Sequence, residues 1–151
     1  MQLRVAVETS DADVLDSELR DLSVPDLTVP QTSFGTPAVF RSRTVREFQQ
    51  LKADPEAMPT LTREFTRADR VFIRVRTYGP GSAAPALAAR LLNRTGQSMS
   101  DLTVTVTPGV DGGHDIDLSL ASLPPGEYLV EMTATGEGEP VKELLGFRMA
   151  G

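Results

Sequence analysis

Three observations predict an all-β fold, an antiparallel β-sandwich. In Tyr128–Thr135 the side chains Tyr128, Val130, Met132 and Ala134 alternate with Glu131, Thr133 and Thr135. Leu145, Phe147 and Met149 repeat the alternation near the end of the chain. Period two marks a half-buried strand. Third, short strand-like runs recur at intervals of about 8–12 residues with Gly/Pro turns between them, the spacing of a sandwich.

The elements follow in order. Leu3, Val5 and Val7 alternate with Arg4, Ala6 and Glu8. Thr9–Asp16 is turn-like and acidic, and Glu18–Val24 returns, so residues 3–24 read as a β-hairpin. Pro25–Pro37 holds three prolines, Gly35 and several Thr and Ser, which makes it an extended connection. Ala38–Arg43 is a short strand. Residues 44–53 form the one helix. Thr44 caps it with Glu47 three residues on, the capping-box spacing. Val45, Phe48 and Leu51 share a face, and Asp54-Pro55 ends it. At two to three turns it needs a surface to pack on, and the open end of the sandwich is the expected place.

Val71, Ile73 and Val75 against Arg70, Phe72, Arg74 and Arg76 make the strongest strand. Ala86–Asn93 has helical propensity. Its position between one strand and the turn Arg94-Thr95-Gly96-Gln97 makes it a strand. Leu102–Thr107 is β-branched and alternating. Ile116, Leu118 and Leu120 form another inward row, and Pro124-Pro125-Gly126 turns the chain into Tyr128. We expect residues 1–60 to hold the hairpin, the Pro-rich connection and the helix, and residues 61–151 the sandwich.

With 151 residues the chain can bury an ordinary core without staples, and it has no cysteine. That excludes disulfides and thiolate metal sites but leaves the compartment open. No apolar run approaches a membrane span of about 18 residues. The first residues lack the basic and apolar regions of a signal peptide, so the sequence suits either a cytoplasmic protein or, as we expect, a segment of a larger one. Net charge is −6. Residues 1–40 carry two Arg against seven acids. Residues 41–76 carry eight Arg and one Lys against five acids, and residues 77–151 four cations against nine acids. The acidic whole argues against nucleic acid. The basic middle either pairs with acidic flanks within the fold or meets them head to tail in another copy.

Residue types that could carry chemistry are sparse. His114, the only histidine, stands with Asp111 and Asp115 in what reads as a solvated polar turn. Asp11, Asp13, Asp16 and Glu18 cluster, but the EF-hand positions for glycine and glutamate are not met. Asp111, Asp115 and Asp117 form a second acidic set with the same reading, a solvated turn. Gly79-Pro80-Gly81 and Gly136-Glu137-Gly138 are turns, since no Gly-Lys-Ser/Thr follows. No Gly-x-Ser-x-Gly elbow is present. We therefore assign no catalytic residue, cofactor or metal. The contact candidates are Arg70, Phe72, Arg74 and Arg76, a strand face suited to an acidic protein surface or an anionic glycan. The competing reading is a face neutralised by acids of neighbouring strands. Gly126 and Tyr128 form a structural corner, the Tyr hydroxyl tying a loop to the sheet.

Val24-Pro25-Asp26-Leu27 with Gly35-Thr36-Pro37-Ala38-Val39-Phe40-Arg41, Arg63-Glu64-Phe65 through Tyr78, and Leu123-Pro124-Pro125-Gly126-Glu127-Tyr128 resemble one known region. It is the C-terminal immunoglobulin-like β-sandwich of large bacterial proteins that carry a von Willebrand factor A-related domain. The resemblance covers residues 3 to 149 and rests on structural motifs. It implies a non-catalytic, extracytoplasmic or secreted interaction or spacer module, with residues 1–24 as the last hairpin of a preceding sandwich. Its partners would be a protein or neighbouring domains of the same polypeptide. The Asp-x-Ser-x-Ser metal motif of the A domain is absent, so no metal site carries over. Two other classes remain alternatives: a self-assembling structural subunit joining acidic and basic patches, and a glycan- or calcium-binding accessory domain.

Overall fold

The computed structural model describes residues 2–11, 13–22 and 30–151. Two five-stranded sheets form the sandwich, and a separate two-stranded hairpin precedes it. The hairpin pairs β1 (Gln2–Glu8) with β2 (Val14–Asp21). Val24 and the stretch Val24–Leu27 lie outside the described residues, as does part of the Pro-rich connection. The remainder of that connection carries β3 (Ser33–Phe34), followed by β4 (Ala38–Ser42).

The first sheet is built around β6 (Arg70–Tyr78). On one edge it takes β3 and β4, on the other β10 (Gly113–Leu118), which in turn pairs with β9 (Thr103–Val106). The second sheet runs β5 (Glu64–Phe65), β12 (Val141–Met149), β11 (Gly126–Thr135), β7 (Ala86–Asn93) and β8 (Ser98–Asp101). Of these pairings only β5 with β12 is parallel. Between β8 and β9 the chain changes sheets at Leu102, whose N–H donates to the Ala89 carbonyl. β3, β4 and the helix α1 (Val45–Ala53) lie upstream of residue 60, where we expected a division. They nevertheless pair with or pack on β6.

The core is what alternation selects. Val71, Ile73 and Val75 of β6, Ile116 and Leu118 of β10 and Val39 of β4 face Ala89, Leu91, Val130, Met132, Phe147 and Met149 of the other sheet. Truncating a fully buried member such as Ile73 or Met132 costs about 2–5 kcal/mol. Residues 86–93 are a strand because tertiary pairing outweighs their helical propensity. β7 lies between β11 and β8, with Ala89 and Leu91 buried. The turn after it is held by Asn93, whose Oδ1 accepts from the backbone of Thr95 and Gln97.

The corner at Gly126 and Tyr128 forms as the sequence suggested. The Tyr128 hydroxyl donates to the Pro124 carbonyl at 2.9 Å, and its ring stacks on Phe147, its cross-strand partner. Gly126 has φ 157, a value that side-chain-bearing residues rarely adopt.

α1 begins as expected. Thr44 Oγ1 accepts from the Glu47 N–H, and a Glu47 carboxylate oxygen accepts from the Arg43 N–H. Its location differs from the expected one. The helix does not close an end of the sandwich; it lies across the outer face of β4 and β6, with Phe48 edge-on to Phe72 at 5.4 Å. The reason is an aromatic platform that periodicity alone does not show. Phe40 and Phe72 sit directly opposite on β4 and β6 and stack at 4.7 Å, leaving an apolar surface outside the core for the helix to cover.

Candidate functional site: the arginine-bearing face

Strand alternation puts Arg70, Phe72, Arg74 and Arg76 on the outer face of the first sheet, as predicted. The structure then divides them. Phe72 is fully buried, and the Arg74 side chain is only 14% exposed, so neither is free to meet a partner. Arg70 and Arg76 are exposed and make no ion pair among the described residues.

Arg74 is enclosed because the neighbouring strand supplies a carboxylate at its register position. Asp115 of β10 lies opposite Arg74 and takes it bidentately, Nε to Oδ1 at 2.8 Å and Nη2 to Oδ2 at 3.0 Å. Thr107 donates to the same Oδ1 at 3.0 Å. The guanidinium also donates to the carbonyls of Lys52 and Asp54 at the end of α1, and it lies over the rings of Phe40 and Phe72. One arginine thus joins β6, β10 and the C-terminus of the helix, where a cation also suits the helix dipole. Lys52 repeats the arrangement on a smaller scale. Its ammonium is 2.6 Å from Asp117 Oδ1 and stands over Phe48 and Phe72; the contact is an ion pair without directed hydrogen-bond geometry. The reading of a face neutralised by neighbouring acids therefore holds for Arg74. The signal was present in Asp115-Ile116-Asp117-Leu118, where acids alternate with core residues on the adjoining strand.

The other arginines gather at the end of the sandwich where β6 begins. Asp69, with 3% of its side chain exposed, accepts from the N–H and hydroxyl of Thr66 through Oδ2. Its Oδ1 lies 3.5 Å from Arg41 Nε and 4.0 Å from Arg43 Nε. Arg67 donates Nε to the Leu123 carbonyl. Arg67 and Arg70 line a groove of about 380 Å³ with Phe48, Asp117, Ser119 and Leu120. The approach of Arg41 and Arg43 to Asp69 was not read from the sequence, because it depends on how β4 and the 66–69 turn meet.

The expected solvated turn around His114 is corrected. His114 and Asp115 are both buried, because β10 starts at Gly113 and draws them into the sheet. They cannot act together, since alternation sends them to opposite faces: Asp115 faces Arg74, and His114 lies opposite Val75. The Thr77 hydroxyl donates to the Pro85 carbonyl, so at 3.2 Å its oxygen accepts from His114 Nε2. Gly112, with φ 64, makes the entry. A Cβ there would stand 2.4 Å from the Thr77 carbonyl oxygen. Asp11, Asp13, Asp16 and Glu18 are exposed on the hairpin, Glu18 pairing with Arg20. On the second sheet Glu131 is held between Arg90 and Lys142. The Arg90 hydrogen bond above all, with that of Lys142, keeps its carboxyl below the ordinary value.

Comparison with protein-family models, with curated proteins and with solved structures finds no match.

Proposed function

We propose that this chain is a non-catalytic interaction or spacer module, an immunoglobulin-like sandwich of a larger bacterial, extracytoplasmic protein of von Willebrand factor A-related kind. The strand order supports the fold assignment. β4, β6, β10 and β9 make one sheet and β12, β11, β7 and β8 the other, the layout of the A-B-E-D and G-F-C-C′ strands of such sandwiches. The Tyr128 corner at the start of β11 supports it too. The buried polar groups support a scaffold, because Arg74, Asp115 and His114 are engaged in ties between β6 and β10 and Asp69 holds the 66–69 turn.

The N-terminal hairpin carries the functional reading. Every described side chain in its two strands is exposed, including Leu3, Val5, Val7, Val14, Leu15 and Leu19. A lone two-stranded hairpin is marginal in water and needs further strands or a packing surface. Neither face is uniformly apolar: Leu3, Val5 and Val7 lie opposite Arg20, Glu18 and Asp16, and Leu19 lies opposite Arg4. Laying a face on another sheet would bury charges without partners. Pairing a strand along the edge of β1 avoids that cost, and a neighbouring domain of the same polypeptide is the partner that supplies it.

The test is deletion of residues 2–22. The sandwich should unfold at an unchanged midpoint, while the adjoining region of the polypeptide, bound by the full chain, is no longer bound. Loss of cooperative unfolding on deletion would make the hairpin part of the core and overturn the reading.

A further inference from the structure

An unpaired strand edge is a template for another chain, and folded proteins blunt such edges with charge, proline, shortness or a covering segment. Most edges of this sandwich are blunted. Beside β4 the chain runs back, and the Thr60 N–H donates to the Val39 carbonyl. β3 and β5 have two residues each, and β8 ends on Asp101. The edge at β9, Thr103-Val104-Thr105-Val106, is different. It is as short as β8, but residues 102–110 carry no charge in a chain of which 24% is charged, and no proline interrupts the strand.

Two hydrogen bonds show which of its main-chain groups are free. The Thr107 N–H donates to Gly113, toward β10, whereas the Leu102 N–H donates the other way, to Ala89. Alternation then gives the main-chain groups of Thr103 and Thr105 to β10 and points those of Val104 and Val106 outward. Among the described residues nothing bonds to them. Their side chains face inward, on the side of Ile116 and His114, yet Val106 is 73% exposed. Between this edge and the start of β7 lies a groove of about 490 Å³, lined by Pro85, Leu87, Val104, Val106 and Val110, with Asp111 as its one acid. The wall across from β9 belongs to residues 77–89, which also carry no charge.

We propose that β9 pairs antiparallel with the β9 strand of a second copy of this chain, about a two-fold axis at Thr105. In that register Val104 lies opposite the partner's Val106, and the two exchange N–H to carbonyl hydrogen bonds. One step further, Leu102 faces the partner's Pro108. The Leu102 N–H is already given to Ala89 and proline has none, so the ladder ends with no donor left over. The valines of both copies stand side by side over the apolar grooves. Charge singles out the same place. Two chains of net charge −6 repel each other, and an uncharged stretch is where they approach at least cost. The contact is isologous, so it closes as a dimer. A pair of four-residue strands falls short of the roughly 1,600 Å² of a stable interface, so the dimer is weak and concentration-dependent. Nothing in this contact depends on the N-terminal hairpin.

The test is sedimentation velocity of the full chain from about 10 μM to about 1 mM. The dimer fraction should rise over this range. It should persist or grow at about 0.5 M salt, because screening removes the repulsion and no ion pair is lost. V106P removes one outward donor from each copy and no bond to β10, so association should weaken at least about tenfold. V106K brings like charges to the edge and should abolish it. Circular dichroism melting checks that both variants keep the sandwich, and the exposure of Val106 favours that outcome. Amide exchange at Val104 and Val106 should slow at high concentration while that of β10 is unchanged. A chain that is monomeric up to about 1 mM, a dimer that dissolves in salt, or variants that associate as wild type does would each overturn the proposal. A monomeric chain whose two valine amides are instead protected by the peptide acetyl-Thr-Val-Thr-Val-Thr-amide would give the edge to a different partner and overturn it too. Association should survive deletion of residues 2–22. Its loss there would place the contact on the hairpin, against this proposal and apart from the fate of the hairpin reading.

Discussion

Replacing Arg74 by Met should be among the most damaging single changes in the sandwich. The substitution keeps the unbranched stem and removes the charge. Asp115, with a side chain 4% exposed, would lose both hydrogen bonds from Arg74 and retain the Thr107 hydroxyl among its side-chain donors. The Lys52 carbonyl at the end of α1 would lose its donor, and the Phe40 and Phe72 rings their cation. Removing one partner of a buried ion pair costs about 3–5 kcal/mol, because an uncompensated charge is left behind. Taking about 2–4 °C per kcal/mol for a domain of this size, the melting midpoint should fall by roughly 6–20 °C. Urea unfolding followed by circular dichroism reads the free energy directly. The double variant R74M/D115L should recover much of the loss, since two apolar groups in place of a buried pair can be nearly neutral. A loss below about 1 kcal/mol for R74M would refute the reasoning, for that is the worth of an exposed pair.

Tyr128→Phe keeps the stack on Phe147 and removes the hydrogen bond to Pro124, so it should cost about 1 kcal/mol in the same assay. Gly112→Ala places a Cβ against the Thr77 carbonyl oxygen at a positive φ. It should destabilise by more than about 1 kcal/mol, and a neutral result would show that the β6–β10 junction shifts easily. Glu131→Gln tests a lowered carboxyl pKa. Such a group stabilises above its unfolded value of about 4.3 and loses that contribution as pH falls through the folded value. The stability gap between wild type and variant should be full above about pH 5 and shrink toward lower pH; a gap that stays constant into strong acid would contradict the assignment.

Much of the fold is visible in the sequence because it rests on local alternation. β6, β11 and β12 each set apolar residues at every second position, and each is a strand with that row inward. The helix is legible from Thr44 and Glu47, whose capping contacts form. Its seat is not legible, since a hydrophobic stripe does not reveal what it covers, and the Phe40–Phe72 platform arises only when β4 pairs with β6. β8 escaped notice because Ser98-Met99-Ser100-Asp101 has no inward row; all four residues are exposed. The arginine face shows the same limit. Alternation correctly put Arg70, Phe72, Arg74 and Arg76 together, but only cross-strand register shows that Asp115 and α1 enclose the middle two. His114 was misplaced because Gly112-Gly113 reads as a turn, whereas Gly113 is already the first residue of β10.

Native-state hydrogen exchange on the isolated chain tests the separation of hairpin and sandwich most directly. Amides in the ladders of β6, β10 and β11 should exchange only through global opening, whereas those between β1 and β2 should exchange with little protection. Hairpin amides as strongly protected as those of β6 would contradict this. They would mean that the hairpin is already packed in the free chain and has no need of a partner.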